Sequence, residues 1–348
     1  MPLVDVSVAF LFVRPCYTRL KGKKMKKSLV FVLLVLCCSL LFSQGSSEVN
    51  LFKDRSHFAL ITDKSYSPIV LKGSDIAVKE HYPYLQVDVL RINNKFEAES
   101  MVLSAVGGNY DAILSYGESS SIVRNLAFEY SDIVFASISD TKSSSLSHNY
   151  TEFYYDYTPL SFLCGIGAYS LTDTRKIGLI AYSGDENAVA FIRGLKEMGG
   201  DISVEAYYIE ENTDDETIKI ICDILYRDGA DILYTLINNR ADIAIEKARE
   251  WGRYVIVGDG YYPLDSTVIL SISKDMEKAV TLMIGKIKEG GNGGKSIGLG
   301  LKDSVLDLSW FINGESFINF DDAMKTKIFD ARSLLRRYRY EIKNGPQE

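Results

Sequence analysis

From residue 57 onward the chain alternates short β-branched runs with amphipathic helical stretches, and this alternation restricts the folds open to it. Strands are expected at 57–63, 85–91, 111–116, 132–139, 176–182, 202–209, 231–237, 254–258 and 267–272. Helical periodicity is clearest at 97–106, 121–128, 186–198, 215–228, 241–251 and 274–288. Strand–helix repeats of this kind build parallel sheets with helices on both faces. The strand cores are near-continuous apolar runs, such as Ile177-Gly178-Leu179-Ile180-Ala181, as expected of sheets covered on both sides. A length of 348 residues with 47% hydrophobic content suffices for two packed lobes, and nine or ten strands fit two small sheets better than one. The chain is expected to cross between lobes near 151–157, again near 261–266, and a third time in the glycine-rich stretch Gly290-Gly291-Asn292-Gly293-Gly294, where backbone freedom suits a hinge. This places 50–160 and 267–290 in the first lobe, 161–266 and 295–310 in the second, and a helical tail at 311–348.

The first 45 residues do not read as part of that fold. Met25-Lys26-Lys27, an apolar run from Leu29 to Phe42 and the small-residue pattern Ser43-Gln44-Gly45 make a charged n-region, an h-region and a cleavage site. The run is shorter than the roughly 20 residues of a membrane-spanning helix, although an N-terminal anchor is the alternative. Residues 1–24 read as an upstream extension, with Met25 the natural start. Cys37 and Cys38 raise a lipoprotein signal as another option, but Leu36 before them and Leu40-Leu41-Phe42 after them favour simple cleavage near Gly45. The expected location is the periplasm or cell envelope, with membrane contact only through such a lipid.

Removing this leader takes seven of 39 Lys/Arg and one of 46 Asp/Glu, leaving 32 and 45 and a formal charge of −13. So acidic a surface repels phosphate backbones, and no nucleic-acid partner is expected. Cys164 and Cys222 remain in apolar helical stretches and read as buried free thiols. The three histidines, His57, His81 and His148, are scattered, and none sits at a strand tip beside a nucleophile and an orienting acid. No run of His or Cys has metal-ligand spacing. Neither catalysis, a cofactor nor a metal is expected.

In open parallel sheets ligands bind beyond the carboxyl ends of the strands. The residues there are Asp63-Lys64-Ser65-Tyr66, Ser115-Tyr116-Gly117-Glu118 and Ser139-Asp140-Thr141 in the first half of the chain. In the second half they are Tyr182-Ser183-Gly184-Asp185-Glu186-Asn187, Asn238-Asn239-Arg240 and Gly258-Asp259-Gly260-Tyr261. Hydroxyls, amides and single carboxylates suit a hydroxyl-rich neutral ligand better than a phosphate or a metal, and a ring such as Tyr66 can stack on a flat group. Any one tip is also what a helix N-cap looks like. Lys274 is expected in the first turn of helix 274–288, where a cation opposes the macrodipole, so it either serves a ligand or Asp259, or snorkels to solvent.

Five segments in register, Thr62-Asp63-Lys64-Ser65-Tyr66, Ser161-Phe162-Leu163-Cys164-Gly165, Val257-Gly258-Asp259, Ser271-Ile272-Ser273-Lys274 and Leu299-Gly300-Leu301-Lys302-Asp303, resemble the basic-membrane-protein family over roughly 55–310. These are purine-nucleoside-receptor-like substrate-binding proteins of ABC transporters. The resemblance implies a type I periplasmic-binding-protein fold, with two doubly wound parallel-sheet lobes, a hinge and a ligand cleft between them. It implies a monomer that passes a nucleoside or sugar-like small molecule to an ABC permease and ATPase. By the same resemblance Tyr66 stands where an aromatic stacks on the purine, Asp259 and Lys274 where the ribose is held, and Phe191 where the second lobe offers an aromatic. Departures fall on the base side: Ser67 stands in place of a common asparagine, Pro159 of a frequent glutamate, and Asn238-Asn239 of a glycine-containing turn, while the fourth-strand aspartate is Asp140 or is replaced by Ser139. A ligand sensor or envelope antigen of the same fold, or a sugar-binding protein, is the competing expectation.

Overall fold

The computed structural model describes residues 56–140, 142–290, 293–312 and 320–345, all within one compact unit, Asn50–Glu348. The leader expected at 1–45, with Cys37 and Cys38, lies outside the described residues. β1 (Ser56–Asp63) shows why the sheets are parallel: Phe58, Ala59, Leu60 and Ile61 are all fully buried, so both faces of the strand need cover. It pairs in parallel with β2 (Leu85–Ile92) on one side and β3 (Ala112–Tyr116) on the other. β4 (Val134–Ser139), β5 (Tyr150–Tyr155) and β11 (Lys295–Leu299) complete a first sheet of order β11-β5-β4-β3-β1-β2.

The second sheet has the order β12-β10-β9-β8-β6-β7. Its strands are β6 (Lys176–Tyr182), β7 (Ser203–Ile209), β8 (Ile232–Leu236), β9 (Tyr254–Val257), β10 (Val268–Lys274) and β12 (Leu306–Leu308). Only β12 is antiparallel to its neighbour, β10. The helices connecting the first sheet are α1 (Ser67–Ile76), α2 (Lys95–Val106) and α3 (Ser120–Leu126). α4 (Thr158–Leu171), α5 (Glu186–Met198), α6 (Asp215–Arg227) and α7 (Ala241–Trp251) serve the second. α8 (Met276–Lys288) returns to the first lobe, where Thr281 Oγ1 donates to the Gly73 carbonyl of α1 at 3.0 Å. α9 (Asp322–Asn344) lies on α4 through an edge contact of Tyr338 with Phe162.

Packing across α4 and α5 depends on two glycines. A Cβ on Gly165 would stand 2.2 Å from the Phe191 carbonyl, and one on Gly194 2.0 Å from that of Phe162, so the helices meet backbone to backbone. One apolar cluster includes residues of both sheets and of α4, β10 and α8. Each sheet buries a second cluster on its other face, around Ile61, Val102 and Phe135 in one lobe and Ile180, Ile221 and Val257 in the other. Cys164 and Cys222 are free and buried; burial pushes both thiols up, that of Cys222 to about 12.

Strand membership corrects two expectations about the lobes. Residues 268–274 pair in the second sheet, not the first, and 295–299 pair in the first, not the second. The three connections between sheets therefore run from β5 into α4 at 156–157, from β10 into α8 at Asp275, and from β11 to β12 through 300–305. The glycines at 290–294 lead from α8 into β11 within one lobe, and 261–266 lies between two strands of the same sheet.

Candidate ligand-binding site

The carboxyl ends of the first sheet's strands form one rim. Asp63, at the end of β1, accepts the Glu118 N–H through Oδ2 at 2.8 Å and so fixes the turn that leaves β3. Gly117 in that turn has φ +97, and a Cβ there would lie 1.8 Å from Asp63 Oδ2, so only glycine fits. Tyr66 comes three residues after β1, is 38% exposed, and meets the Tyr116 ring edge-on at 5.1 Å. The hydroxyls of Tyr116 and Tyr155 pair at 3.1 Å beneath it. These rings border a cavity of about 630 Å³ that extends to Asp140, Lys274 and Arg124.

The second sheet's rim has other chemistry. Asp185, beyond the end of β6, caps α5 by accepting the Asn187 N–H at 2.8 Å. Asn238 lies just past β8 in the left-handed region, φ 52, which asparagine tolerates. Its N–H donates to Oδ2 of Asp259, just past β9. Asp259 Oδ1 is buried and has no hydrogen-bond partner among the described residues. Burial pushes the Asp259 carboxyl up to about 7; the Asn238 N–H and Lys274 oppose the rise and the charge of Asp185 adds to it. Asp259, Asp185, Asn238, Tyr157 and Lys274 border a second cavity of about 770 Å³.

Lys274 belongs to both cavities. It is the last residue of β10, where the chain leaves the second sheet for the first lobe, and not the first turn of a helix as its sequence position implied; Asp275 caps α8 instead. Its Nζ lies 2.9 Å from Asp140 Oδ1, 4.1 Å from the Tyr155 ring centre and 5.7 Å from that of Tyr157. Burial alone would lower its pKa, but the Tyr157 hydroxyl and the Asp140 carboxylate outweigh that and hold the ammonium above its ordinary range. Burial raises the Tyr157 hydroxyl to about 12 against the pull of Lys274. Lys274 is therefore a fixed cation at neutral pH, reaching Asp140 of the opposite lobe and not Asp259.

Asp63, Tyr66, Gly117, Asp140 and Lys274 thus border the first cavity, and Asn238 and Asp259, again with Asp140 and Lys274, the second. Phe191 does not join them. It is fully buried and stacked flat on Tyr234, with ring centres 3.9 Å apart, in the layer behind β8. The helical spacing of α5 that brings Phe191 toward the sheet serves packing. Sequence reasoning missed Tyr155 and Tyr157, although the run Tyr154-Tyr155-Asp156-Tyr157 before a proline-started helix was a signal. Arg124, on a short helix with no motif around it, gave none. Among the described residues no three His, Cys, Asp or Glu side chains converge as metal ligands, and no helix is long and apolar enough to cross a membrane.

Known proteins share this architecture. Basic membrane protein A1 of Borrelia garinii subsp. bavariensis is 26% identical over 325 residues, covering 87% of this chain and 95% of that protein. A periplasmic ribose ABC transporter protein from Conexibacter woesei superposes with a TM-score of 0.58 at 13% identity, over 74% of this chain and 92% of that one. A transcriptional activator of the comK gene from Bacillus halodurans does so at 0.57 and 18% identity, over 81% and 98%. The fold is the type I periplasmic-binding-protein fold. The profile of the PnrA-like ABC transporter substrate-binding proteins matches residues 58–337, and the chain belongs to that family.

Proposed function

We propose that the cleft captures a nucleoside and that the protein delivers it, as a monomer, to an ABC permease and ATPase. Membership in a family of solute-binding proteins gives the coarser statement, an extracytoplasmic binding component that takes a small molecule and works with a transporter. The nucleoside reading rests above all on Asp259. A buried carboxylate oxygen without a donor is costly, and a ligand hydroxyl placed on Oδ1 relieves that cost. Lys274 stands between the cavities with ammonium donors of its own, suited to a vicinal diol. Tyr66 and Tyr116 offer ring faces and edges to a flat base at the other end. Asp63 and Gly117 shape that end, Asp140 holds Lys274, and Asn238 orients Asp259.

Export through the leader at 25–45, by cleavage near Gly45 or with lipid on Cys37 or Cys38, belongs to the same proposal; the mass of the mature protein distinguishes the two. A free sugar would also satisfy Asp259 but would leave Tyr66 idle. Titration calorimetry against guanosine, inosine, adenosine, cytidine and ribose tests the reading. Saturable binding of at least one nucleoside, tighter than ribose, is the expected outcome, and silence toward all five overturns it.

A further inference from the structure

Beyond the tyrosines the first cavity has a part that neither the ring contacts nor Asp259 and Lys274 use. Arg124, in the last turn of α3, borders it with the hydroxyl-bearing Ser120, Ser137 and Ser139. Arg124 Nη1 donates to Ser143 Oγ, and Ser143 Oγ in turn donates to Glu152 Oε1, both at 2.5 Å. Glu152 is fully buried and also accepts the Ser143 N–H at 2.7 Å and Ser296 Oγ at 3.0 Å. A buried carboxylate thus backs the guanidinium through a serine and holds it in place. A guanidinium has five N–H donors, and the hydrogen bond to Ser143 takes one of them.

A fixed planar fork of donors asks for paired acceptors on a flat edge, and the O6/N7 edge of a 6-oxopurine is such a pair. An adenine in the same place would present its amino donors to the guanidinium. Phosphate is disfavoured, because Asp63, Glu118, Asp140 and Glu152 outnumber Arg124 and Lys274 around the cavity. We propose that Arg124 reads the carbonyl edge of the base, so that the cleft selects 6-oxopurine nucleosides over adenosine. This rests on the nucleoside reading above. A purely structural Arg124, serving as counter-charge to Glu152 and partner of the α3 dipole, would not affect base preference.

Competition between inosine, guanosine and adenosine for the purified protein tests the proposal. The wild type is expected to bind inosine and guanosine at least about tenfold tighter than adenosine. Arg124→Met should bring the inosine-to-adenosine ratio within about twofold of one. Arg124→Lys keeps a cation facing Glu152 but loses the fork, and is expected to lower the ratio in a protein that still melts cooperatively. A wild-type ratio near one, or a ratio unmoved by Arg124→Lys, overturns the role of Arg124 while leaving nucleoside capture standing. Binding of no nucleoside at all overturns both.

Discussion

The two rims of the cleft are built at equivalent ends of equivalent parallel sheets, yet they carry different chemistry. The first presents rings and hydroxyls, with Tyr66, Tyr116 and Tyr155 in contact and Arg124 beyond them. The second presents Asp185, Asn238 and Asp259, and its aromatic pair, Phe191 on Tyr234, is turned inward as core. Lys274 faces both. A cleft with one face for flat groups and the other for hydroxyl donors fits a ligand of two unlike halves, and a nucleoside has those halves. The contrast also separates residues whose loss should unfold the protein from residues whose loss should only empty it.

The largest effect is expected behind the second rim and not on it. Phe191→Ala should cost about 3–5 kcal/mol of stability by denaturant unfolding, because it opens a cavity against Tyr234, while the order of ligand preferences stays as in the wild type. If affinity collapsed at unchanged stability, Phe191 would be a ligand contact and the two rims would share one chemistry. Asp259→Ala is the converse case. It should weaken nucleoside binding by about a hundredfold in calorimetry, as expected for loss of charged hydrogen bonds, without lowering the melting temperature of the empty protein.

Acid should act through the second rim. Asp259 titrates near 7 when folded and near the ordinary carboxyl value of about 3.9 when unfolded, so between these the folded state holds the extra proton. The stability this group contributes is full below about 4 and lost as pH rises through about 7. Asp259→Asn should therefore raise the melting temperature relative to wild type at pH 8 and change it little only near pH 4. Ligand binding needs the ionised carboxylate and should weaken roughly tenfold between pH 8 and pH 6. Equal melting differences at both pH values would remove the buried charge from the account. The smallest effect belongs to the first rim: Tyr66→Leu should weaken nucleosides about three- to tenfold and leave ribose untouched, with Tyr66→Phe near wild type.

The sheets were legible because their strands are buried on both faces. The run at 176–182 is expected and observed with the same limits, and β1 differs by one residue. β5, β11 and β12 escaped because they break the apolar pattern. β5 carries the buried Glu152 among tyrosines, β11 has a glycine next to its last residue, and β12 is three residues long. Without them the second and third lobe crossings were misplaced, while the first falls within the expected 151–157. The site's members could be read from the residues just beyond each strand, since strand ends in a parallel sheet converge. Their partners could not, because Lys274–Asp140 joins residues 134 apart and Asp259 owes its raised pKa to burial that no local pattern displays. Phe191 illustrates the opposite error: the resemblance put a second-lobe aromatic at the ligand there, and the residue belongs to the core.

A crystal structure with inosine is the most direct measurement. The base should lie against Tyr66 and the ribose hydroxyls within hydrogen-bond reach of Asp259 Oδ1 and Lys274 Nζ, with both rims on one ligand. An occupied cleft in which Asp259 Oδ1 still lacks a donor would contradict the account.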